Sequence, residues 1–357
     1  MRALTASLVG LCAAWLAFNL VALAYGESPA HLLVILYRGT WGTWYGVGQV
    51  IYKATPLILA GLAVSFAMRA GLFNVGVEGQ AALSGLGAAA TASWLLSAAQ
   101  NGSHKLHFIA QFAPARWVFI LATALTIGCA WAAIPGLLKV RYGAHEVVST
   151  IVMNRIADAL MGFALASGLA LRGTVRTADV GVHLPRFDAL GLSVFRGSAA
   201  NVALFIALVT VGVVAVVQRR TVVGRELPLV ASGPRACVAA GVPIKRRLVQ
   251  AMLVSGAIAS LIPLGAVFGF KGYYELGLGA GAGFTGIAVA ILGAGHPLGL
   301  VAAAVVLATL EQGGLALNGR VPMEVMDVLK AVVIIVVAWA SGALKRTLGS
   351  VPPAVAA

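Results

Sequence analysis

Charged residues are scarce in this sequence. Aspartate, glutamate, lysine and arginine make up 10% of the 357 residues, whereas hydrophobic residues make up 60%. Soluble domains carry roughly 25% charged residues, and a soluble fold of this length needs far more polar surface to cover its core. The shortage therefore argues against a water-soluble globular protein.

Motifs of common catalytic and metal sites are also missing. The sequence contains no HExxH, GxSxG or Walker A motif, and His145-Glu146-Val-Val-Ser lacks the second histidine of a zincin. The three cysteines are scattered without a CxxC pair, so neither a disulfide framework nor a zinc site is indicated. We expect no catalytic residues, no metal site and no cofactor. Without a Walker A motif, the chain cannot bind ATP through a P-loop.

Long apolar segments are what the sequence has instead, and its mean hydropathy is +0.96. A helix of about 20 apolar residues crosses the hydrocarbon layer, and lipid offers no hydrogen-bonding partner to an open strand edge. We therefore predict an all-α polytopic membrane protein in which residues 1–357 form a single transmembrane domain. About ten spans are predicted, near residues 5–25, 54–70, 79–98, 117–138, 147–170, 200–218, 248–270, 281–294, 297–316 and 325–344.

The first apolar segment allows two interpretations. Residues 3–26 carry no charge after Arg2, and Ala22-Leu23-Ala24 matches a signal-peptide cleavage site. The uncharged run is, however, longer than the roughly 7–15 residues of a signal-peptide core. We favour an uncleaved first span.

The formal net charge of +14 does not indicate a nucleic-acid partner, because that function needs a basic patch on a soluble face. The basic residues lie between apolar segments, where they set membrane orientation. They predict cytoplasmic N- and C-termini, although the arginines of loop 171–200 oppose this assignment. The richest loop, 219–250, contains Arg219, Arg220, Arg225, Arg235, Lys245, Arg246 and Arg247.

Loop 219–250 contains a predicted short amphipathic helix, residues 235–241, after Gly233-Pro234. The loop is either a solvated connector or a docking element for a cytoplasmic partner. Spacing alone leaves both interpretations open.

Two segments of similar composition, each rich in glycine, occur in different parts of the chain. We call residues 69–80 the first glycine segment and residues 271–284 the second glycine segment. Paired interruptions in two halves are typical of transporters with structural repeats, where they mark the substrate path. The alternative is tight helix packing through small residues, which we favour for the helix with Gly286, Ala290 and Ala294. For the polar residues of the segments we favour a pathway role. They are Asn74, Glu78, Gln80 and Glu275.

Two pairs of opposite charges, Arg155/Asp158 and Asp327/Lys330, lie three residues apart within predicted spans, which places each pair on one helix face. A lone charge at the bilayer centre costs about 3 kcal/mol on insertion scales. Each pair is therefore either part of a polar pathway or a mutual neutralisation that lets the helix insert. We favour neutralisation for Asp327/Lys330, and leave both interpretations open for Arg155/Asp158.

Three sequence blocks carry a family resemblance. They are GLFNVGVEGQ at residues 71–80, GAHEVVSTIVMN at 143–154 and GFTGIAVAILG at 283–293. In this order they resemble the ABC-importer permeases of the branched-chain amino acid/ribose superfamily, and within it the nucleoside or simple-sugar branch. The resemblance covers about residues 50–345.

The resemblance implies a two-repeat ABC importer permease of about ten helices, which translocates nucleosides or related ribosides and simple sugars. It implies a cytoplasmic ABC ATPase that hydrolyses ATP, a second permease subunit (the same chain or a paralogue) and an extracytoplasmic substrate-binding protein. The chain itself would not be an enzyme. It would be a multi-pass protein in the lipid of the cell (inner) membrane, and would have no nucleic-acid partner.

The resemblance also implies roles for individual residues. The expected pathway side chains can hydrogen-bond sugar hydroxyls or base edges, or stack on a base: Phe73, Asn74, Glu78, Gln80, Asn154 and Phe284. The expected ATPase-coupling residues lie in segment 219–250: Ser232, Gly233, Pro234, Arg235 and Gly241. The alternative function is a secondary transporter driven by protons or sodium, with Glu78, Asp158 or Asp327 as its coupling site.

Overall fold

The computed structural model describes residues 15–100 and 113–335, except residues 17, 21, 323, 329 and 333. Helices dominate this part of the chain, and its only β-type pairings are isolated bridges. The main helices are α1 (Pro29–Gly39), α2 (Trp44–Met68), α3 (Val77–Gln100), α4 (Ala113–Tyr142), α5 (Glu146–Ala164), α6 (Ala203–Arg220), α7 (Val222–Ser232), α8 (Pro234–Ala239), α9 (Ile244–Ala259), α10 (Ala282–Leu292) and α11 (Pro297–Leu317).

Short irregular helices extend or connect these elements. A π-helix, Leu165–Leu169, continues α5, and a 3₁₀ turn, Ser193–Phe195, lies in the loop before α6. A helical turn, Leu264–Ala266, and a second π-helix, Val267–Lys271, follow α9.

Seven helices of the described residues are long and apolar enough to cross a membrane: Trp44–Met68, Val77–Gln100, Pro114–Tyr142, Glu146–Leu169, Ala203–Arg220, Ile244–Lys271 and Pro297–Leu317. The number becomes eight if Phe18–Ala24 and Pro29–Gly39, which are bent by 110°, form one span. The predicted all-α polytopic class is confirmed. Most of the predicted spans 5–25 and 325–344 lies outside the described residues.

Two helix boundaries differ from the sequence prediction. The second span was expected at residues 54–70, but α2 begins at Trp44 because the helix continues through Lys53, a residue that interrupts the apolar run. The span expected at 281–294 is the 11-residue helix α10, too short to cross the bilayer alone.

The chain divides into two compact units, residues 1–50 with 305–357 and residues 51–304. In the first unit, Leu32, Leu317 and Met326 belong to one buried cluster, and Arg320 pairs with Glu27 at 2.9 Å. The second unit contains the segments that the sequence analysis singled out. The predicted organisation as a single transmembrane domain stays a prediction.

Small residues let helices of the second unit approach closely. A Cβ atom on Gly128 of α4 would lie 2.5 Å from the carbonyl oxygen of Gly256 on α9, and one on Gly256 would lie 2.3 Å from the carbonyl oxygen of Gly128. A Cβ atom on Gly286 of α10 would lie 2.5 Å from the Cβ atom of Ala60 on α2. Packing through small residues is typical of membrane helices, as predicted for α10.

Loop 170–202 packs against the second glycine segment. The Thr177 N–H donates to the carbonyl oxygen of Tyr274 at 2.8 Å, and the Val180 N–H donates to that of Gly272 at 2.9 Å. Tyr274 is buried, and its hydroxyl contacts the sulfur of Met161 at 3.1 Å. These bonds fix the position from which the second glycine segment continues to α10.

Candidate functional site

The Glu78 carboxylate joins the two glycine segments. Glu78 is the second residue of α3, and it accepts hydrogen bonds from the Gly281 N–H at 2.6 Å and from the Gly283 N–H at 2.7 Å. These two amides lie at the start of α10, where backbone N–H groups have no partner within the helix. The positive end of the helix dipole also favours a carboxylate there. Segments more than 200 residues apart thus meet at one side chain. We call the contact of Glu78 with Gly281 and Gly283 the Glu78 junction.

Glycine is required on the α10 side of the Glu78 junction. A Cβ atom on Gly283 would lie 2.5 Å from the Glu78 backbone nitrogen and 2.7 Å from its Cα atom. Gly281 has φ +87°, a conformation that side chains other than glycine rarely adopt. The glycines therefore permit a direct approach of the α10 backbone to the start of α3.

A buried amide network holds the first glycine segment. Asn74 donates to Gln80 Oε1 at 3.1 Å and to Ser255 Oγ at 2.8 Å. Its Oδ1 atom accepts from the Gly76 N–H at 3.0 Å and from Gln80 Nε2 at 3.2 Å. Asn74 and Gln80 are 0% and 1% exposed. The amide of Asn74 therefore uses both its donor and its acceptor sides within the protein, as buried polar groups require.

Asn154 connects α5 to the same segment. Its Nδ2 atom donates to the carbonyl oxygen of Val75 at 3.0 Å, and its Oδ1 atom accepts from the Gly79 N–H at 3.0 Å. The residue is buried. Asn154 therefore fixes the irregular backbone that precedes α3 against α5.

The structure divides the six predicted pathway residues into two groups. Asn74, Gln80 and Asn154 are buried and make their hydrogen bonds within the chain. Phe73 and Glu78 are half-buried, and Phe284 is 48% exposed. The first group positions the backbone, and the second remains accessible. A pathway role for these residues stays a prediction.

The other acidic candidates form ion pairs. Glu275 lies 2.8 Å from the Lys271 ammonium within the second glycine segment. Asp327 contacts Lys330, and Arg155 lies 3.4 Å from Asp158, so both pairs expected from the three-residue spacing form.

The coupling segment predicted at 219–250 folds into α7, α8 and the start of α9. The helix predicted at residues 235–241 is present as α8, Pro234–Ala239, directly after Gly233. Sequence patterning missed α7, which Thr221 caps by accepting the Gly224 N–H at 3.1 Å. The predicted coupling residues Ser232 and Gly241 are exposed.

Helix α7 has a buried face and an exposed face. Leu227 and Val230 are buried, while Leu229 is exposed. The exposed apolar surface continues on α8 at Val238. Arg247 of α9 pairs with Glu226 and ties α7 to that helix.

Helix α7 also lies beside the first glycine segment. A Cβ atom on Gly71 would lie 3.4 Å from the Cα atom of Ala231. From Gly71 the chain runs through Asn74 to Glu78. The segment predicted to face the cytoplasm thus touches the segment that reaches the Glu78 junction.

A family model described as "Branched-chain amino acid transport system / permease component" matches residues 46–338. The chain belongs to this family. It is a multi-pass membrane protein, and the family resemblance inferred from the three sequence blocks is confirmed. No solved structure matches the chain.

Curated relatives of the family share most of the chain's length. The guanosine ABC transporter permease protein of Bacillus subtilis (strain 168) is 33% identical, over 97% of this chain and 94% of the relative. The nucleoside ABC transporter permease protein of Lactococcus lactis subsp. cremoris (strain MG1363) is 29% identical, over 94% and 91%. The glucose ABC transporter permease protein of Haloferax volcanii is 28% identical, over 90% and 87%. These names describe permease subunits and not enzymes.

Proposed function

We propose that this chain is the permease subunit of an ATP-driven importer for nucleosides or related ribosides and simple sugars, with the Glu78 junction on the substrate pathway. The family and its relatives are the main support for the importer function. The meeting of two glycine segments at one carboxylate within the membrane-spanning unit supports the position of the pathway. Irregular backbone at membrane depth is tolerated where it is buried in protein or lines a water-filled cavity. The exposed ring of Phe284 beside this junction favours the second case.

The substrate class follows from the relatives and from the accessible side chains. Two of the relatives are named for guanosine or nucleoside transport and one for glucose. At the junction, Phe284 offers an aromatic face that can stack on a base, and Glu78 is half-buried. Its carboxylate already accepts two backbone N–H groups, but each oxygen can accept a further bond from a hydroxyl. An aromatic surface beside a hydrogen-bond acceptor suits a nucleoside or a sugar.

The energy source in this proposal is a separate cytoplasmic ABC ATPase. Its docking surface is the exposed apolar part of α7 and α8, including Leu229 and Val238. An extracytoplasmic binding protein delivers the substrate, and a second permease subunit completes the pathway. All of these partners follow from the ABC systems to which the relatives belong.

Movement of α7 offers a physical connection between ATP hydrolysis and the pathway. Because Gly71 lies against Ala231, displacement of α7 moves the first glycine segment. Asn74 and Asn154 hold that segment as one packed unit, so the movement is transmitted to Glu78. Glu78 is hydrogen-bonded to the start of α10. If these hydrogen bonds hold during the movement, the second glycine segment moves with the first; if they break, the two segments separate.

Uptake by the purified importer tests the proposal. The complete complex is reconstituted in liposomes with the binding protein, and the entry of radiolabelled guanosine, ribose and glucose is measured with ATP inside or outside. We expect saturable nucleoside uptake that requires ATP on the side of the ATPase and that stops with an ATPase unable to hydrolyse it. Uptake that needs only a proton or sodium gradient would instead identify a secondary transporter.

A further inference from the structure

One face of α5 is exposed along most of the helix and carries an ion pair at its centre. This α5 face consists of Ile151, Val152, Arg155, Asp158, Ala159 and Phe163. The Arg155 and Asp158 side chains are 80% and 56% exposed. Arg155 lies nine residues after Glu146, the first residue of the span, which places it about 14 Å along the helix axis at a rise of 1.5 Å per residue. That distance is about half the thickness of a hydrocarbon layer, which is about 30 Å.

Lipid is a poor environment for this pair. Arg155 has five N–H donors, and the structure gives it one hydrogen bond, from Nη1 to Asp158 Oδ2 at 3.4 Å. The remaining donors have no acceptor in acyl chains. The other charged residues deep within described spans, Lys53 of α2 and Glu311 of α11, are half-buried instead. Charged side chains within spans normally face protein or water.

The exposed face of helix α6 has the composition that suits contact with lipid. Phe205, Val209, Val213 and Val216 are all more than half exposed, and no charge lies among them. The α6 charges, Arg219 and Arg220, are at the helix end. In both the α5 span and the α6 span, 28% of the most apolar stretch is buried. The difference between their exposed faces is therefore one of chemistry and not of exposure.

The charge pattern of the α5 face is self-complementary. Two permeases in one importer have the same orientation in the membrane, so a two-fold axis along the membrane normal brings equivalent helices together at the same depth. Opposite charges one turn apart then allow Arg155 of each subunit to reach an acidic side chain at the position of Asp158 on the other. The additional acceptors satisfy the guanidinium donors that lipid leaves unpaired.

We propose that the α5 face packs against the second permease subunit, a chain of this same fold, and that Arg155 and Asp158 form ion pairs across that contact. The inference rests on the proposed function for the identity of the partner. It goes further in assigning a face, a depth and a charge pattern to the interface.

Site-specific photo-cross-linking tests this contact in the complete importer in native membranes. Benzoylphenylalanine replaces Val152 on the α5 face or Val209 on α6, which are 51% and 65% exposed. We expect an adduct with a permease chain at position 152, identified by peptide mass spectrometry, and adducts with lipid alone at position 209. A permease adduct supports the proposal whether the captured chain is a second copy or a paralogue.

Three results would overturn the proposal: lipid adducts alone at position 152, an adduct there with the ATPase or the binding protein, or equal permease adducts at both positions. ATP-driven uptake is measured on the same preparations without illumination. Normal nucleoside uptake with lipid adducts alone would reject the interface and leave the proposed function intact. A permease adduct without nucleoside uptake would do the reverse.

Charge reversal provides a second measurement. Asp158→Arg should lower the yield of the permease adduct at position 152 by at least about tenfold, because like charges facing each other disfavour association. Exchange of both charges, Arg155→Asp with Asp158→Arg, should restore most of the yield. An unchanged yield in Asp158→Arg would contradict ion pairing across the contact. If the single variant does not assemble in the membrane, the result with the wild-type pair decides.

Discussion

Glu78 and Asp158 are both carboxylates within membrane spans, and the chain surrounds them differently. Glu78 is half-buried and accepts two backbone N–H groups, at 2.6 and 2.7 Å, from the start of α10. Asp158 is 56% exposed and has one partner, Arg155, at 3.4 Å. The chain completes the surroundings of the first carboxylate by itself. In the interface proposed above, a second permease subunit provides further partners for the Arg155/Asp158 pair.

Gly283→Ala should disturb the surroundings of the Glu78 carboxylate more than any other substitution proposed here. The new Cβ atom would lie 2.5 Å from the Glu78 backbone nitrogen, so α10 has to move away from α3. We expect a loss of about 3 kcal/mol in stability, the upper end for overpacking. The midpoint of thermal unfolding in detergent measures it.

Gly212→Ala on α6 is the matched control, since a Cβ atom there meets nothing within 4 Å. Alanine is favoured over glycine by about 1 kcal/mol in a helix, so this variant should be at least as stable as wild type. Equal destabilisation by both substitutions would show that the Glu78 junction is not tightly packed.

Asn74→Ala tests the amide network that positions Glu78. The substitution leaves the Gln80 amide, the Gly76 N–H and Ser255 short of partners in a buried region. We expect destabilisation of about 2 kcal/mol, because an unsatisfied buried polar group costs about 1–3 kcal/mol. The same unfolding assay reports it.

Thr210→Ala is the control for Asn74→Ala, because the Thr210 hydroxyl only donates back to the carbonyl oxygen of Ile206 in its own helix. Its effect should stay within about 0.5 kcal/mol, because the substitution leaves no group of another segment without a partner. Similar stability of Asn74→Ala and Thr210→Ala would remove the positioning role of Asn74.

Asp158→Leu tests the role of the exposed Asp158 carboxylate in the proposed contact between the two permeases. It should change the unfolding of a single subunit little, but weaken association of the two permeases about tenfold, or 1.4 kcal/mol. Adding Arg155→Leu should cost less than the sum of the single substitutions, since residues of one ion pair are coupled. Copurification of the second permease measures association, and additive losses would contradict a pair that acts as a unit.

Glu226→Gln concerns a carboxylate outside the spans and should have the smallest effect. Glu226 pairs with Arg247 in the coupling segment. The Arg247 and Glu226 side chains are only 11% and 19% exposed. Because glutamine keeps a side-chain oxygen that can accept from Arg247, we expect a loss of about 1 kcal/mol and a modest fall in ATP-driven uptake. A loss as large as that of Asn74→Ala would mean that the coupling segment depends on this pair for its fold.

The sequence allowed the membrane class, most spans and the two glycine segments to be predicted, because hydropathy and glycine spacing are local properties. It did not reveal that Glu78 contacts Gly281 and Gly283, since a bond across more than 200 residues depends on the tertiary fold. A carboxylate at the start of one helix and closely spaced glycines at the start of another were the available signals.

The roles of Asn74, Gln80 and Asn154 could not be separated from that of Glu78 by sequence. All four are polar residues beside or within apolar segments, and composition does not distinguish a side chain that faces a pathway from one bonded inside the protein. The amphipathic helix α7 was missed for a related reason. Its arginine and glutamate made segment 219–250 resemble a solvated loop, although Leu227 and Val230 are buried.

The most direct measurement is ATP-driven guanosine uptake by importers containing Glu78→Ala or Glu78→Gln, at matched amounts of assembled complex. We predict that Glu78→Ala reduces the uptake rate at least about tenfold, because the substitution leaves two α10 amides without an acceptor and breaks a charge-assisted contact. Glu78→Gln, which keeps one acceptor oxygen, should lie between Glu78→Ala and wild type. Wild-type uptake by assembled Glu78→Ala importers would contradict a pathway built around this carboxylate.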